Sequence, residues 1–246
     1  MNVTLTNLTF TFPSGKRLFD NRSIELSGTG FYPTSPKPYT LVRGRKASAG
    51  YVGFRAIQHP ESQFALHFLT GKNGVGKSTL ARIISGLTSP QEKISGTIAF
   101  DNNHYDLSAQ ATRSFLYEHV AYASQRTDDM VAPHFTAREN MALAALPSYP
   151  GLGILKKYNG QIFGIPMDIP AKNISGGQRQ LLSIAMILQK KPLILILDEP
   201  TAALDEQNAI MVMDTIKTLS AQILCICICH DEELIARYAQ GKNIRL

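Results

Sequence analysis

An α/β fold built on a buried parallel sheet is expected from three features of this 246-residue chain. Two unbroken apolar runs, at 193–197 and 223–229, have the length and composition of strands covered on both faces. A helical segment from Asp205 to about Leu219 lies between them, and strand–helix–strand alternation of this kind produces parallel pairing. A third strand, at 65–69, runs into a Gly-rich turn and then a helix from Lys77 to about Ser85.

The remaining elements follow along the chain. The opening MNVTLTNLTFTF alternates apolar residues with Thr and Asn, which reads as a strand, and it lacks the basic segment and cleavage site of a secretory leader. Strand pattern returns at 97–100, and the turn-forming Asp101-Asn102-Asn103 leads to a short run at 105–107, so a hairpin is expected. Residues 120–123 read as another strand. TARENMALAAL, at 136–146, has helical composition ahead of a break at Pro147, Pro150, Gly151 and Gly153. Ser175 precedes a helix reaching Gln189, with Leu181, Leu182, Ala185, Ile187 and Leu188 as its apolar face, and Pro192 follows its stop. No internal repeat occurs, so the chain carries one copy of this cassette.

Charge and composition narrow the partners. The net charge is +6, yet five basic residues (Lys37, Arg43, Arg45, Lys46, Arg55) and no acidic one fall between Gly28 and Pro60, which leaves the rest at +1. That stretch also holds Pro33, Pro36, Pro38 and Pro60, and residues 28–61 read as an inserted loop or hairpin. It is either a solvated elaboration or a contact surface for a partner protein or lipid headgroups. With the charge confined there, nucleic acid is not expected as a partner. The longest apolar run has seven residues, far short of the ~18–20 of a membrane-spanning helix, so no bilayer crossing is expected, and the leaderless opening makes a cytoplasmic location the expectation.

Cys225, Cys227 and Cys229 are odd in number and close together, which excludes a disulfide framework. Alternate strand residues are about 6.5–7 Å apart, too far for three thiolates around one zinc. The cysteines therefore read as small buried hydrophobes.

Two motifs carry the chemistry. Gly71-Lys72-Asn73-Gly74-Val75-Gly76-Lys77-Ser78-Thr79 fits G-x-x-x-x-G-K-[ST] between a strand and a helix, the context of a phosphate-binding P-loop. Its glycines let backbone N–H groups approach phosphate, Lys77 would neutralise the β- and γ-phosphates, Ser78 would ligate Mg²⁺, and the Thr79 backbone can reach the first phosphate. LILILDEPT ends a buried strand with Asp198 and Glu199 at its carboxyl end. Neighbouring side chains on an extended strand diverge, which assigns Asp198 to Mg²⁺ or its water and Glu199 to the attacking water as general base. Together the motifs predict a nucleoside triphosphate hydrolase.

Ile174-Ser175-Gly176-Gly177-Gln178 opens a helix with a Ser cap and two glycines, 98 positions after Lys77. Here the chain resembles the ATP-binding subunits of ABC transporters, whose signature is LSGGQ. Gln125 in VAYASQ is similar to the family's Q-loop glutamine, TARENMAL at 136–143 to the segment that follows it, Ala203-Leu204-Asp205 to the D-loop, and His230 to the switch histidine. Across about 1–27 and 62–246, the resemblance implies an α/β P-loop NTPase. It would have a RecA-like core, an antiparallel β subdomain and an inserted helical subdomain at 126–189. It also implies one domain over 1–246, with ATP and Mg²⁺ as cofactors.

By the same likeness, two copies pair head to tail, and Ser175, Gly176, Gly177 and Gln178 of one cover nucleotide held by the other. Gln125 would join the metal site to a transmembrane subunit, Asp205 would line the dimer seam, and His230 would contact the γ-phosphate and water. Phe12 stands where the family stacks an aromatic on adenine, but 59 residues before Gly71; the alternative is a core Phe on an edge strand. The expected function is an ATPase energising transport through a separate membrane subunit, peripheral at the cytoplasmic face of the inner membrane. The alternative is a soluble ABC ATPase acting on nucleic acid or the ribosome. Chromosome-organising members of the family carry a long coiled coil and translation-associated members two cassettes, and neither fits this chain. A small-acceptor kinase leaves ISGGQ unexplained.

Overall fold

The computed structural model describes residues 2–27, 66–126, 130–145, 163–190, 192–221, 223–239 and 243–246. The stretch at 28–61 expected to be an insertion, residues 127–129 near the start of the expected helical subdomain, and the Pro/Gly break after Leu146 lie outside them. The described chain forms two sheets. β1 (Asn2–Thr11), β2 (Arg17–Ser27), β4 (Lys93–Phe100) and β5 (Asn103–Asp106) make an antiparallel sheet of order β2-β1-β4-β5. β1 is thus an inner strand, so the alternative reading of Phe12, just beyond it, as part of an edge strand does not hold. Its register with β4 shifts between Thr6 and Thr9, opposite Gly96. A side chain at Gly96 would lie 2.8 Å from the Thr6 and Asn7 carbonyl oxygens, so this bulge accepts only glycine.

The second sheet is parallel, in the order β6 (Val120–Ala123), β7 (Ile194–Asp198), β8 (Leu224–Ile228), β3 (Leu66–Thr70), β9 (Asn243–Arg245). Every residue of β7 and β8 is buried, as their continuous apolar composition requires. Alternate side chains feed two cores. Leu195, Leu197, Cys225 and Cys227 pack under α4 (Gly176–Leu188) and α5 (Glu206–Ser220). Ile194, Ile196, Leu224 and Ile226 pack with α1 (Lys77–Ile84) and the antiparallel sheet. Burial raises the Cys225 and Cys227 thiols far above their ordinary range.

Helix ends are set by local chemistry. Thr136 and Glu139 exchange hydrogen bonds at the start of α3 (Ala137–Ala145), a T-x-x-E capping box. Those contacts, the Thr136 backbone N–H foremost, pull the Glu139 carboxyl below its usual range. Leu181, Leu182, Ile184 and Ala185 form the buried stripe of α4, while Ile187 and Leu188 are only partly covered, one step round from the expected face. Four elements have only sparse apolar patterns and come from the structure alone: β2, α2 (Gln110–His119), α6 (Glu232–Tyr238) and β9.

Candidate active site

The carboxyl ends of parallel strands carry the candidate residues on one edge of the sheet: Gly71 follows β3, Gln125 follows β6, Asp198 ends β7 and His230 follows β8. Gly71, Gly74 and Gly76 have φ of +145°, +78° and +107°, and this left-handed backbone bends the loop before α1 starts at Lys77. At Gly76 a side chain would sit 2.8 Å from Phe19 Cζ and 2.9 Å from Leu18 Cδ2, so the loop leans directly on β2. Val75 N–H donates to the Lys72 carbonyl (3.3 Å), and Lys77 Nζ reaches the carbonyls of Gly71 (2.9 Å) and Lys72 (3.1 Å). Lys77 is buried, while Lys72, Asn73, Gly74 and Ser78 are exposed and Thr79 is half-buried. The loop is therefore a bent cradle with an ammonium held across it.

Glu199 has φ +48° and is not in extended backbone, which corrects the expectation that divergence along a strand separates it from Asp198. Its N–H donates to the Ile228 carbonyl (3.0 Å), and its own carbonyl accepts from Ala202 N–H (3.2 Å). This left-handed turn costs a non-glycine residue about 1–3 kcal/mol, and such outliers concentrate at functional sites. The turn delivers the carboxylate to two donors. Gln125 Nε2 donates to Oε2 (3.0 Å) and His230 Nε2 lies 3.2 Å from Oε1. Glu199 remains 28% exposed and His230 39%, so solvent reaches the clasp.

Asp198, by contrast, is 6% exposed. Tyr122 Oη donates to its Oδ2 at 2.8 Å. Burial, then the hydrogen bond to Asp198, pushes the Tyr122 phenol well above its ordinary value.

A second group gathers where α4 meets α5. Ser175 caps α4: its Oγ accepts from Gln178 N–H (3.1 Å), and Gln178 Oε1 accepts from Ser175 N–H (3.0 Å). Ser175 Oγ also donates to Asn208 Oδ1 (3.0 Å), and Asn208 Nδ2 donates to Asp205 Oδ2 (2.6 Å). The Asn208 backbone N–H and side chain hold the Asp205 carboxyl below its usual range. A Cβ at Gly177 would stand 2.6 Å from Asn208 Oδ1, and one at Gly176 3.1 Å from Leu204 Cδ2. The two glycines let α4 approach α5 closely enough for Ser175 and Asp205 to share Asn208.

Tyr122 and Asn208 are the residues that sequence reasoning missed. Tyr122 pairs in register with Ile196, two positions before Asp198, a proximity visible only once β6 and β7 are known neighbours. Asn208 lies three residues after Asp205, a spacing that signals a helix cap without showing that its amide reaches Ser175. Phe12 lies just beyond β1, half-buried, its ring edge-on to Phe10 with centroids 5.0 Å apart and packed against the core. The hairpin residues touching the phosphate loop at Gly76 are Leu18 and Phe19.

A family model described as ABC transporter matches residues 61–202. A putative ABC transporter ATP-binding protein of Onion yellows phytoplasma is 35% identical over 70% of this chain, which spans 29% of that protein. The xylose import ATP-binding protein XylG of Brucella abortus is 31% identical over 72% of this chain, and 35% of XylG is spanned. The lipoprotein-releasing system ATP-binding protein LolD 1 of Caulobacter vibrioides is 32% identical over 71% of this chain and 76% of its own length. The chain thus spans about a third of the first two relatives and three quarters of the other.

Among solved structures, CbiO1 of Clostridium perfringens, part of the ABC transporter complex CbiONQ, superposes with TM-score 0.69 at 21% identity, covering 96% of this chain and 81% of its own. The ATP-binding cassette MJ0796, a dimer in a post-hydrolysis state with ADP and Pi, gives TM-score 0.61 at 22% identity, covering 97% and 91%. These likenesses show an ABC ATPase fold, and by the family match over 61–202 the chain belongs to the ABC transporter family.

Proposed function

We propose that this chain binds and hydrolyses ATP to drive transport through a separate transmembrane protein. The observation that carries the proposal is Glu199, held by its backbone turn between Gln125 and His230 on the strand edge that also bears the phosphate loop. A carboxylate fixed at both oxygens yet open to solvent suits a general base that orients one water. His230 and Gln125 hold that carboxylate, and Lys77 with the N–H groups of Gly71–Thr79 receives the phosphates.

Ser78, Asp198 and the amide oxygen of Gln125 offer an oxygen-only donor set that fits Mg²⁺, since the Gln125 amide nitrogen is already committed to Glu199. Bound there, Mg²⁺ supplies charge neutralisation at the β- and γ-phosphates. Ser175, Gly176, Gly177 and Gln178 stand with Asp205 in a separate cluster at the helix junction, which supports their use by a second copy of the chain. Phe12 would stack on the base. The named relatives are ATP-binding proteins of import and lipoprotein-releasing systems, and among the described residues no helix is long and apolar enough to cross a membrane. The relatives' names support a peripheral subunit at the cytoplasmic face, with a membrane partner on another polypeptide and substrate choice residing there.

Glu199→Gln tests the catalytic core. ATP turnover of the purified chain is expected to fall by about 10²–10⁴-fold with ATP affinity retained. Turnover equal to the parent would remove Glu199 as the base.

A further inference from the structure

We propose that the Tyr122 hydroxyl is a positioning group for the metal site, fixing the Asp198 carboxylate without itself being a ligand. The inference rests on the reading that Asp198 serves Mg²⁺, and it names what holds that carboxylate in place. Asp198 is almost wholly buried at the end of β7, and a desolvated carboxylate needs donors to stay in one rotamer. Among the described residues, the only side-chain hydrogen bond to Asp198 comes from Tyr122 Oη, 2.8 Å from Oδ2.

The geometry leaves Oδ1 outside that bond, for a cation or a water on it. β6 supplies the phenol from the neighbouring strand, where Tyr122 faces Ile196, two residues before Asp198. Three residues on, Gln125 donates to Glu199. One short segment therefore holds both acids, Tyr122 the buried one and Gln125 the half-buried one. Partners that orient a metal-binding group commonly change metal affinity about 10–100-fold when removed.

The test separates metal from nucleotide. In the full-length Glu199→Gln chain, the ATP dissociation constant is measured in EDTA and again with Mg²⁺ or Mn²⁺, for the parent, Tyr122→Phe and Asp198→Asn. Tyr122→Phe is expected to leave the EDTA value unchanged and to weaken the metal-dependent affinity about 10-fold, with an altered Mn²⁺ electron paramagnetic resonance spectrum. An unchanged metal term and spectrum in Tyr122→Phe, beside a loss in Asp198→Asn, would overturn the role of Tyr122. An unchanged metal term in Asp198→Asn would overturn the metal reading beneath it. Should Tyr122→Phe fold poorly, Tyr122→Leu, which also lacks the hydroxyl, carries the same comparison.

Discussion

Glu199 shows how much of the site depends on one residue's backbone. A strand continued through position 199 would send its side chain to the opposite face from Asp198, whereas φ +48° turns it toward Gln125 and His230. Identity of the acid pair was readable from LILILDEPT, but the turn was not, because nothing in Glu itself favours left-handed backbone. The Ile228 carbonyl, a long-range partner, accepts the Glu199 N–H in that geometry. His230 holds one of the two carboxylate oxygens. His230→Ala should therefore lower kcat by about 10²-fold while leaving the KM for ATP within a small factor, measured by steady-state phosphate release. A large rise in KM with kcat intact would instead make His230 a binding residue.

Elements with a strong apolar period were readable: β3, α1, β6, α3, α4, β7, α5 and β8 lie within a residue or two of their expected limits. β2, α2, α6 and β9 were not, for a physical reason. Among the residues whose burial is described, only Phe19, Ile24 and Leu26 of β2, and Thr112 and Leu116 of α2, are buried, so their patterns are sparse. They form because the rest of the molecule offers them a strand edge or an apolar surface.

Burial on both faces makes β7 and β8 the mechanical centre. Leu197→Ala should destabilise the chain by about 2–5 kcal/mol in urea unfolding, since Leu197 is 0% exposed and a cavity there cannot fill from solvent. The three thiols give a second measure. Burial raises all of them, so the folded chain should react slowly with a thiol reagent at pH 8, and all three should react once it is unfolded. Rapid reaction of Cys225 or Cys227 in the folded chain would contradict this packing.

At the scale of the whole molecule, the candidate residues fall into two clusters that one chain keeps on different elements. Gln125, Asp198, Glu199 and His230 gather at the sheet edge with the phosphate loop, and Ser175, Gly177, Asp205 and Asn208 gather between α4 and α5. Ser175 has its one proton committed to Asn208, and that donor could turn to a phosphate oxygen presented from outside. Sequence motifs revealed both clusters but not the Asn208 bridge tying the signature serine to Asp205. On the function proposed above, a second copy of the chain completes the site, with nucleotide held between the two. The most direct measurement of this is a structure of the Glu199→Gln chain saturated with Mg²⁺ and ATP in the presence of the proposed membrane partner. A nucleotide sandwich predicts Ser175 of one protomer within hydrogen-bonding reach of the γ-phosphate lying against the partner's Lys77. A γ-phosphate enclosed by residues of a single chain, with Ser175 of the other copy remote from it, would contradict it.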